Sequence, residues 1–241
     1  MKSKTESLEV LFRSSEPADL RRALMLVRGE ISSAGVEASR PLFELVSSLF
    51  YIDPLDRPEL APILDEAISL VIGFGDWVIP TLVENLDQGD IKAQMASAEA
   101  LGRIGADAIE PLMEKYRDSD DPDTLAFVLY GLGKIKSPQV VNAVDLALDG
   151  AGSGDLELRD TATRTIGRFA ETVPAGEIPG EILDGYYTVL RTNLADPHKA
   201  IKAKALRSLG KLARHGHLDD DRKRAMRDIA LNLLGEDDEF R

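Results

Sequence analysis

The chain has 241 residues, of which 44% are hydrophobic and 29% charged, a composition typical of folded proteins and unlike that of disordered ones. The absence of cysteine excludes disulfides, thiolate metal sites and a cysteine nucleophile. A formal net charge of −13 disfavours non-specific binding of the whole chain to nucleic acid or an anionic membrane.

Two amphipathic segments in the first 57 residues are predicted to be helices, at 17–31 and 40–52. The N-terminal residues lack the apolar core of a signal peptide, and no later stretch approaches about 20 uninterrupted apolar residues. We therefore expect a cytoplasmic protein with no membrane partner.

From residue 58 onward the sequence predicts pairs of helices joined by turns. The shorter apolar member of each pair is at 77–86, 108–116, 138–148 or 178–190, and the longer member at 91–103, 122–134, 156–168 or 198–212. In the last pair Ile201, Ala205 and Leu209 recur at i, i+4 and i+8, which is a helical period. Asp and Pro between the two members favour the start of a helix.

A Leu-Gly or Ile-Gly pair recurs along the chain, with its glycine at Gly73, Gly102, Gly133, Gly167 and Gly210. Successive glycines are 29, 31, 34 and 43 residues apart. Spacings of this size are typical of stacked helical units, none of which buries its apolar face alone. Each glycine either ends its helix through a left-handed cap or lets the next unit approach closely. Both interpretations are structural.

The segment "DPHKAIKAKALRSLGKL" (196–212) combines an Asp-Pro step, the basic Lys202 and the Leu209-Gly210 pair. The segment "DLELRDTATRTIGRF" (155–169) repeats the arrangement with Arg159 in the basic position. This pattern resembles the HEAT repeat family, especially the short HEAT-like repeats of the phycobilisome-lyase type. Gln94 and Leu125 replace the basic residue in two units, so the Asp–Arg ladder of the family is interrupted there.

The resemblance implies an all-α, armadillo-like fold: an α-solenoid, coiled as a right-handed superhelix, of about five helix pairs with helical caps. We expect a single domain, 1–241, made of an N-terminal helical cap (1–57), HEAT-like repeats (58–213) and a C-terminal capping helix with an acidic tail (214–241).

Charge is unevenly distributed along the chain. Residues 1–197 hold 18 Lys and Arg against 34 Asp and Glu, a net charge of −16, whereas residues 198–227 hold 10 against 3, a net charge of +7. Solenoids of helix pairs present a concave surface to extended partners. The leading hypothesis is therefore a non-catalytic scaffold or adaptor that binds a protein partner. The candidate contact residues are Arg159, Tyr187, Lys199, Lys202, Arg207, Lys211, Arg222, Lys223 and Arg224.

Two alternatives remain open. The basic segment 198–227 has enough positive charge for several phosphate contacts, which favours nucleic-acid binding. The resemblance also suggests a lyase or chaperone-like accessory protein. No Ser-His-Asp set, helix-borne metal motif or dinucleotide fingerprint is found, so we assign no catalytic, cofactor or metal-binding residue. We expect the single tryptophan, Trp77, to pack between repeats.

Overall fold

The computed structural model describes residues 2–31, 35–87 and 89–236, without the side chains of residues 2–6, 230 and 232–236. Within these ranges the chain forms thirteen α-helices and no β-strand. The helices are α1 (Lys2–Phe12), α2 (Pro17–Ile31), α3 (Val36–Ser47), α4 (Ala61–Val71), α5 (Ile79–Glu84), α6 (Ile91–Ile104), α7 (Ile109–Asp118), α8 (Pro122–Leu132), α9 (Val144–Ala151), α10 (Leu156–Thr172), α11 (Gly180–Asn193), α12 (Lys199–Arg214) and α13 (Asp220–Glu236). The last five residues of the predicted acidic tail, 237–241, lie outside the described residues.

The chain divides into two compact units, Met1–Pro111 and Leu112–Arg241, called unit 1 and unit 2 below. In unit 1, α4 packs against α2, α3 and α6. Its core includes Leu24 on α2, Ile63 on α4 and Leu101 on α6, all fully buried. Trp77 is half-buried, and its ring makes edge-on contacts with the rings of Phe43 and Phe74, with centroids 5.5 and 6.1 Å away. It therefore packs against apolar rings, one of which, Phe43, lies on α3 in the predicted N-terminal cap.

Unit 2 is arranged around α10, which packs against α8, α9 and α12. Helix α11 in turn packs against α9 and α12. The longer helices α8, α10 and α12 are thus neighbours in space, as are the shorter helices α9 and α11. This alternation is the one expected for helix pairs stacked in chain order.

The predicted helix pairs correspond to α5 and α6, α7 and α8, α9 and α10, and α11 and α12. Short 3₁₀ turns precede α5, α7 and α9, and the segment Pro138–Ala143 forms one of them. Within the predicted helical cap (1–57), the sequence assigned specific helices to 17–31 and 40–52 but none to 2–12, where α1 lies. Only Leu8 and Phe12 are buried among the α1 side chains that the structure describes, so its apolar pattern is too short to be recognised.

Aspartates cap three of the four longer helices, α6, α8 and α10, in the predicted way, whereas the N-cap residue of α12 is His198. Asp90 accepts hydrogen bonds from the Lys92 and Ala93 amides at 2.9 and 3.1 Å, and Asp155 accepts one from the Leu158 amide at 2.9 Å. These carboxylates satisfy backbone donors that have no partner within the helix.

Two of the three recurring glycines of unit 2, Gly133 and Gly167, mark close approaches between neighbouring helices. A Cβ atom at Gly167 on α10 would lie 2.5 Å from Ser208 Oγ and 3.1 Å from Ser208 Cα on α12. At Gly210, the equivalent position of α12, a Cβ atom would meet nothing within 4 Å. The left-handed conformation is found instead at other glycines, such as Gly105, which follows α6 with φ of 96°.

Candidate interaction surface

The residues predicted to contact a partner all lie in unit 2, on four helices. Arg159 is on α10, Tyr187 on α11, Lys199, Lys202, Arg207 and Lys211 on α12, and Arg222, Lys223 and Arg224 on α13. In the structure some of these cations form ion pairs with neighbouring carboxylates, whereas others have no ion-pair partner among the described residues.

Arg159 is bound within unit 2. Its Nε atom lies 2.9 Å from Asp196 Oδ2, and its Nη1 donates to the carbonyls of residues 153–155 at 2.7–3.1 Å. The side chains of Arg159 and Asp196 are only 15% and 7% exposed. Arg159 therefore fastens the loop before α10 to the loop before α12.

Asp196 is the acceptor at the centre of this contact. Burial raises the pKa of its carboxyl, but the His198 backbone N–H, the His198 ring and Arg159 together hold the pKa below its ordinary value. The His198 amide donates to Oδ1 at 2.8 Å, so both carboxylate oxygens are occupied.

The Tyr187 ring contacts two guanidinium groups, those of Arg191 and Arg222, which lie 5.6 and 5.2 Å from the ring centroid. Arg222 Nη2 also donates to Asp184 Oδ1 at 2.6 Å, and this hydrogen bond raises the Arg222 pKa. Cation–π contacts and ion pairs of this kind fix α13 against α11.

The next two cations on α13 pair with carboxylates of its own first turn. Lys223 Nζ lies 3.5 Å from Asp220 Oδ1, and Arg224 forms an ion pair with Asp221. Arg224 and both carboxylates are largely exposed and Lys223 is 39% exposed, so water screens these pairs and each stabilises the helix by only about a few tenths of a kcal/mol.

Two ion pairs connect α10 and α12. Lys204 pairs with Asp160, and Lys211 Nζ lies 2.9 Å from Glu171 Oε2. On the same helix, Lys199 is exposed at the first position, and Lys202 is half-buried with no ion-pair partner among the described residues.

Arg164 and Arg207 are exposed on α10 and α12, and neither has an ion pair or a side-chain hydrogen bond with the described part of the chain. Each lies three residues before the recurring glycine of its helix, Gly167 or Gly210. Ser208 Oγ donates to the Thr163 carbonyl at 2.8 Å, which fixes the register of the two helices. The two arginines therefore belong to the same surface.

A second row of cations, Lys134, Arg168 and Lys211, directly follows the recurring glycines of α8, α10 and α12. Arg168 Nη1 donates to the Gly133 carbonyl at 3.3 Å and so reaches back to the preceding pair. We call the surface that carries Arg164, Arg207 and this row the basic face.

Sequence reasoning identified Arg207 and Lys211 but missed Arg164, Arg168 and Lys134. The signal was present, because aligning the helices on their glycines places Arg164 over Arg207 and Arg168 over Lys211. Counting charge only within 198–227 concealed it, since three of the five cations of the basic face precede that segment.

A cavity of about 450 Å³ opens at one end of the basic face, where α8 and α10 end. Its lining includes Lys134, Lys136, Arg168 and Glu171. Lys136 is exposed and has no ion-pair partner among the residues described. A second cavity of unit 2, of about 770 Å³, is lined by Arg159 and Asp196, which bind each other.

Two of the three histidines, His198 and His217, have structural contacts. His198 Nδ1 lies 3.0 Å from Asp196 Oδ1, and the buried His217 bonds through Nε2 to the Ala170 carbonyl at 3.0 Å. Among the described residues no group of three or more His, Asp or Glu side chains has the arrangement of a metal site.

No single helix of the described chain is long and apolar enough to cross a membrane. One bent pair, Pro58–Phe74 with Asp76–Asp87, meets the length and composition criteria, with a bend of 113°.

Comparisons with known proteins agree with this architecture. A family model for HEAT repeats matches residues 79–149. No curated protein matches the sequence.

Among solved structures, Kap121p is similar with a TM-score of 0.65 at 13% identity, over 97% of this chain and 27% of Kap121p. Two engineered proteins are similar with TM-scores of 0.50 and 0.51 at 20% and 22% identity; the alignments cover 87% and 93% of this chain and 98% and 61% of theirs. The chain thus spans about a quarter of Kap121p. The predicted all-α solenoid fold of helix pairs is confirmed, and the match to the HEAT repeat model covers residues 79–149.

Proposed function

We propose that the chain is a non-catalytic scaffold or adaptor that binds a protein partner along a concave surface lined by the longer helices of its repeats. In this proposal residues 58–213 are the repeats of a single cytoplasmic domain, flanked by the two helical caps. The resemblance to the phycobilisome-lyase type lies in the repeat sequence, so it suggests how the helix pairs stack and does not suggest a lyase activity.

The observation that carries the proposal is the division of α10 and α12 into two faces. One face is fully buried, with Ala162 and Ile166 on α10 and Ala205 and Leu209 on α12. The opposite face presents exposed charged side chains that packing does not require. Arrays of stacked helices use such faces to bind extended segments.

Ion pairs within unit 2 weaken the case for nucleic-acid binding. Of the ten cations in 198–227, five form ion pairs within the unit: Lys204, Lys211, Arg222, Lys223 and Arg224. Their charge is already offset by carboxylates, so fewer phosphate contacts remain available than the net charge of +7 suggests.

Selection of random peptides displayed on phage against the immobilised full chain tests the proposal. We expect enriched peptides that bind in solution and that lose binding when exposed residues of α8, α10 or α12 are changed. Substitution of Arg227, an exposed residue of α13 that is not among the candidate contact residues, is the matched control and should leave binding unchanged. The proposal is wrong if no peptide is enriched, or if binding is insensitive to every change on the longer helices.

A further inference from the structure

We propose that the segment bound by the basic face is acidic, and that two of its carboxylates pair with Arg164 and Arg207. This inference rests on the proposed function and adds the chemistry of the partner. It begins from the fact that these two arginines are exposed, adjacent in register and without an ion pair among the described residues.

The cations around them are occupied. Lys204 and Lys211, on the same face of α12 as Arg207, pair with Asp160 and Glu171 of α10. Arg164 and Arg207 therefore lie between two bridges that already connect the helices. Their guanidinium groups are the ones left to bind an external carboxylate, which they match with paired N–H donors.

Compensation of helix ends does not account for these two positions. A cation in the last turn of a helix interacts favourably with the free carbonyls there. Arg168 has such a role, since it donates to the Gly133 carbonyl after α8. Arg164 and Arg207 lie in the middle of α10 and α12, seven or more residues from the last residue of each helix.

The cavity at the end of α8 and α10 extends the site. Its lining contributes Lys134, Lys136 and Arg168 against one carboxylate, Glu171, which is held by Lys211. Its volume of about 450 Å³ suits one side chain or a chain terminus rather than a folded element. A carboxylate that enters it would meet an excess of positive charge.

The spacing suits an extended peptide. Packed helices lie about 8–10 Å apart, and an extended chain advances about 3.3 Å per residue. Carboxylates three residues apart therefore match the separation of α10 from α12. A peptide crossing the helices would present one carboxylate to each arginine.

The same face disfavours a continuous polyanion. Exposed carboxylates of Asp123 and Glu157 lie on it, Glu157 seven residues before Arg164 and therefore in the same helical row. A nucleic-acid backbone would bring a phosphate close to these groups, whereas a peptide with spaced carboxylates avoids them.

The test is a titration of the full chain with a fluorescein-labelled peptide, (Glu-Gly-Ser)4, read by anisotropy at 50 mM and 300 mM salt. We expect saturable binding that weakens at the higher salt. The double variant R164Q/R207Q should bind at least about tenfold more weakly, because two charge-assisted contacts are lost. R164K/R207K keeps both charges but not the paired N–H donors, so its affinity should lie between those of the parent and R164Q/R207Q.

The matched control is R22Q/R227Q, which removes two exposed arginines that have no ion pair among the described residues and lie outside the basic face. It should bind like the parent. Far-UV circular dichroism establishes that all variants are folded. Each single variant, R164Q and R207Q, should give part of the loss.

Three results would overturn the inference: equal affinity of the parent and R164Q/R207Q, equal affinity for the neutral peptide (Gln-Gly-Ser)4, or tighter binding of a dodecamer of deoxythymidine that R164Q/R207Q abolishes. If phage selection yields neutral peptides that bind the longer helices, the inference fails while the proposed function stands. If nothing is selected, both fail.

Discussion

The two equivalent glycines of α10 and α12 should respond oppositely to the same substitution. Gly210→Ala adds a methyl group that meets nothing within 4 Å, so it gains helix propensity and should stabilise unit 2 by about 0.5–1 kcal/mol. Gly167→Ala gains the same propensity but places its methyl group 2.5 Å from Ser208 Oγ and 3.1 Å from Ser208 Cα. Because one of these atoms belongs to the backbone of α12, rotation of the Ser208 side chain does not relieve the contact.

Forcing a methylene-sized group into a packed site costs about 1–3 kcal/mol. Displacing Ser208 also threatens its hydrogen bond to the Thr163 carbonyl, 2.8 Å long, whose loss costs about 1 kcal/mol. After subtracting the propensity gain, Gly167→Ala should destabilise unit 2 by about 1–3 kcal/mol. The two variants should therefore differ by about 2–4 kcal/mol.

Native-state hydrogen exchange of the α10 and α12 amides is the appropriate assay, since it reports the opening free energy of those helices directly. Fluorescence is less suitable because the single tryptophan, Trp77, lies in unit 1. Equal protection of the Gly167→Ala and Gly210→Ala variants would show that α10 and α12 do not approach closely at Gly167, and that the interpretation of the repeat glycine is wrong.

Two further predictions concern the same unit. Ala205→Asp should reduce the free energy of unfolding by about 3–5 kcal/mol, because Ala205 is fully buried and the new carboxylate has no partner there; a urea midpoint equal to that of the parent would contradict this. The Asp196 pKa is depressed by its contacts with His198 and Arg159, so the contact stabilises the fold fully above the unfolded-state pKa of about 4 and is lost as pH falls through the lower folded-state pKa. The stability difference between the parent and Asp196→Asn, followed by urea titration, should thus be largest near neutral pH and shrink below about pH 4; a constant difference would refute it.

The helices of this chain were largely predictable because the signals for each helix lie in its own sequence. A buried stripe repeating every three to four residues, an Asp that caps the next helix and a recurring glycine all lie within one repeat. Helix α1 was not assigned from the sequence because its described part buries only Leu8 and Phe12, which is too short an apolar pattern. The two compact units also have no local marker, since their division depends on contacts between residues distant in sequence.

The candidate surface was only partly predictable, and Arg159 and Arg207 show why. Both are basic residues of longer helices, and both were assigned to partner binding for that reason. Arg159 is bound to a carboxylate 37 residues later, whereas Arg207 has no such partner in the described chain. Pairing at that distance depends on the stacking of one repeat on the next, which a charge count along the sequence does not register.

Net charge along the sequence and charge available at a surface are therefore different quantities. Residues 198–227 have a net charge of +7, yet half of their cations are held by carboxylates of unit 2. Arg164 belongs to the acidic segment 1–197, yet it has no ion pair among the described residues and shares a face with Arg207. A charge offset at close range contributes little to the field that a partner meets, whereas an exposed unpaired charge contributes fully. The chemistry of a bound partner should therefore depend on the exposed, unpaired cations rather than on the paired ones.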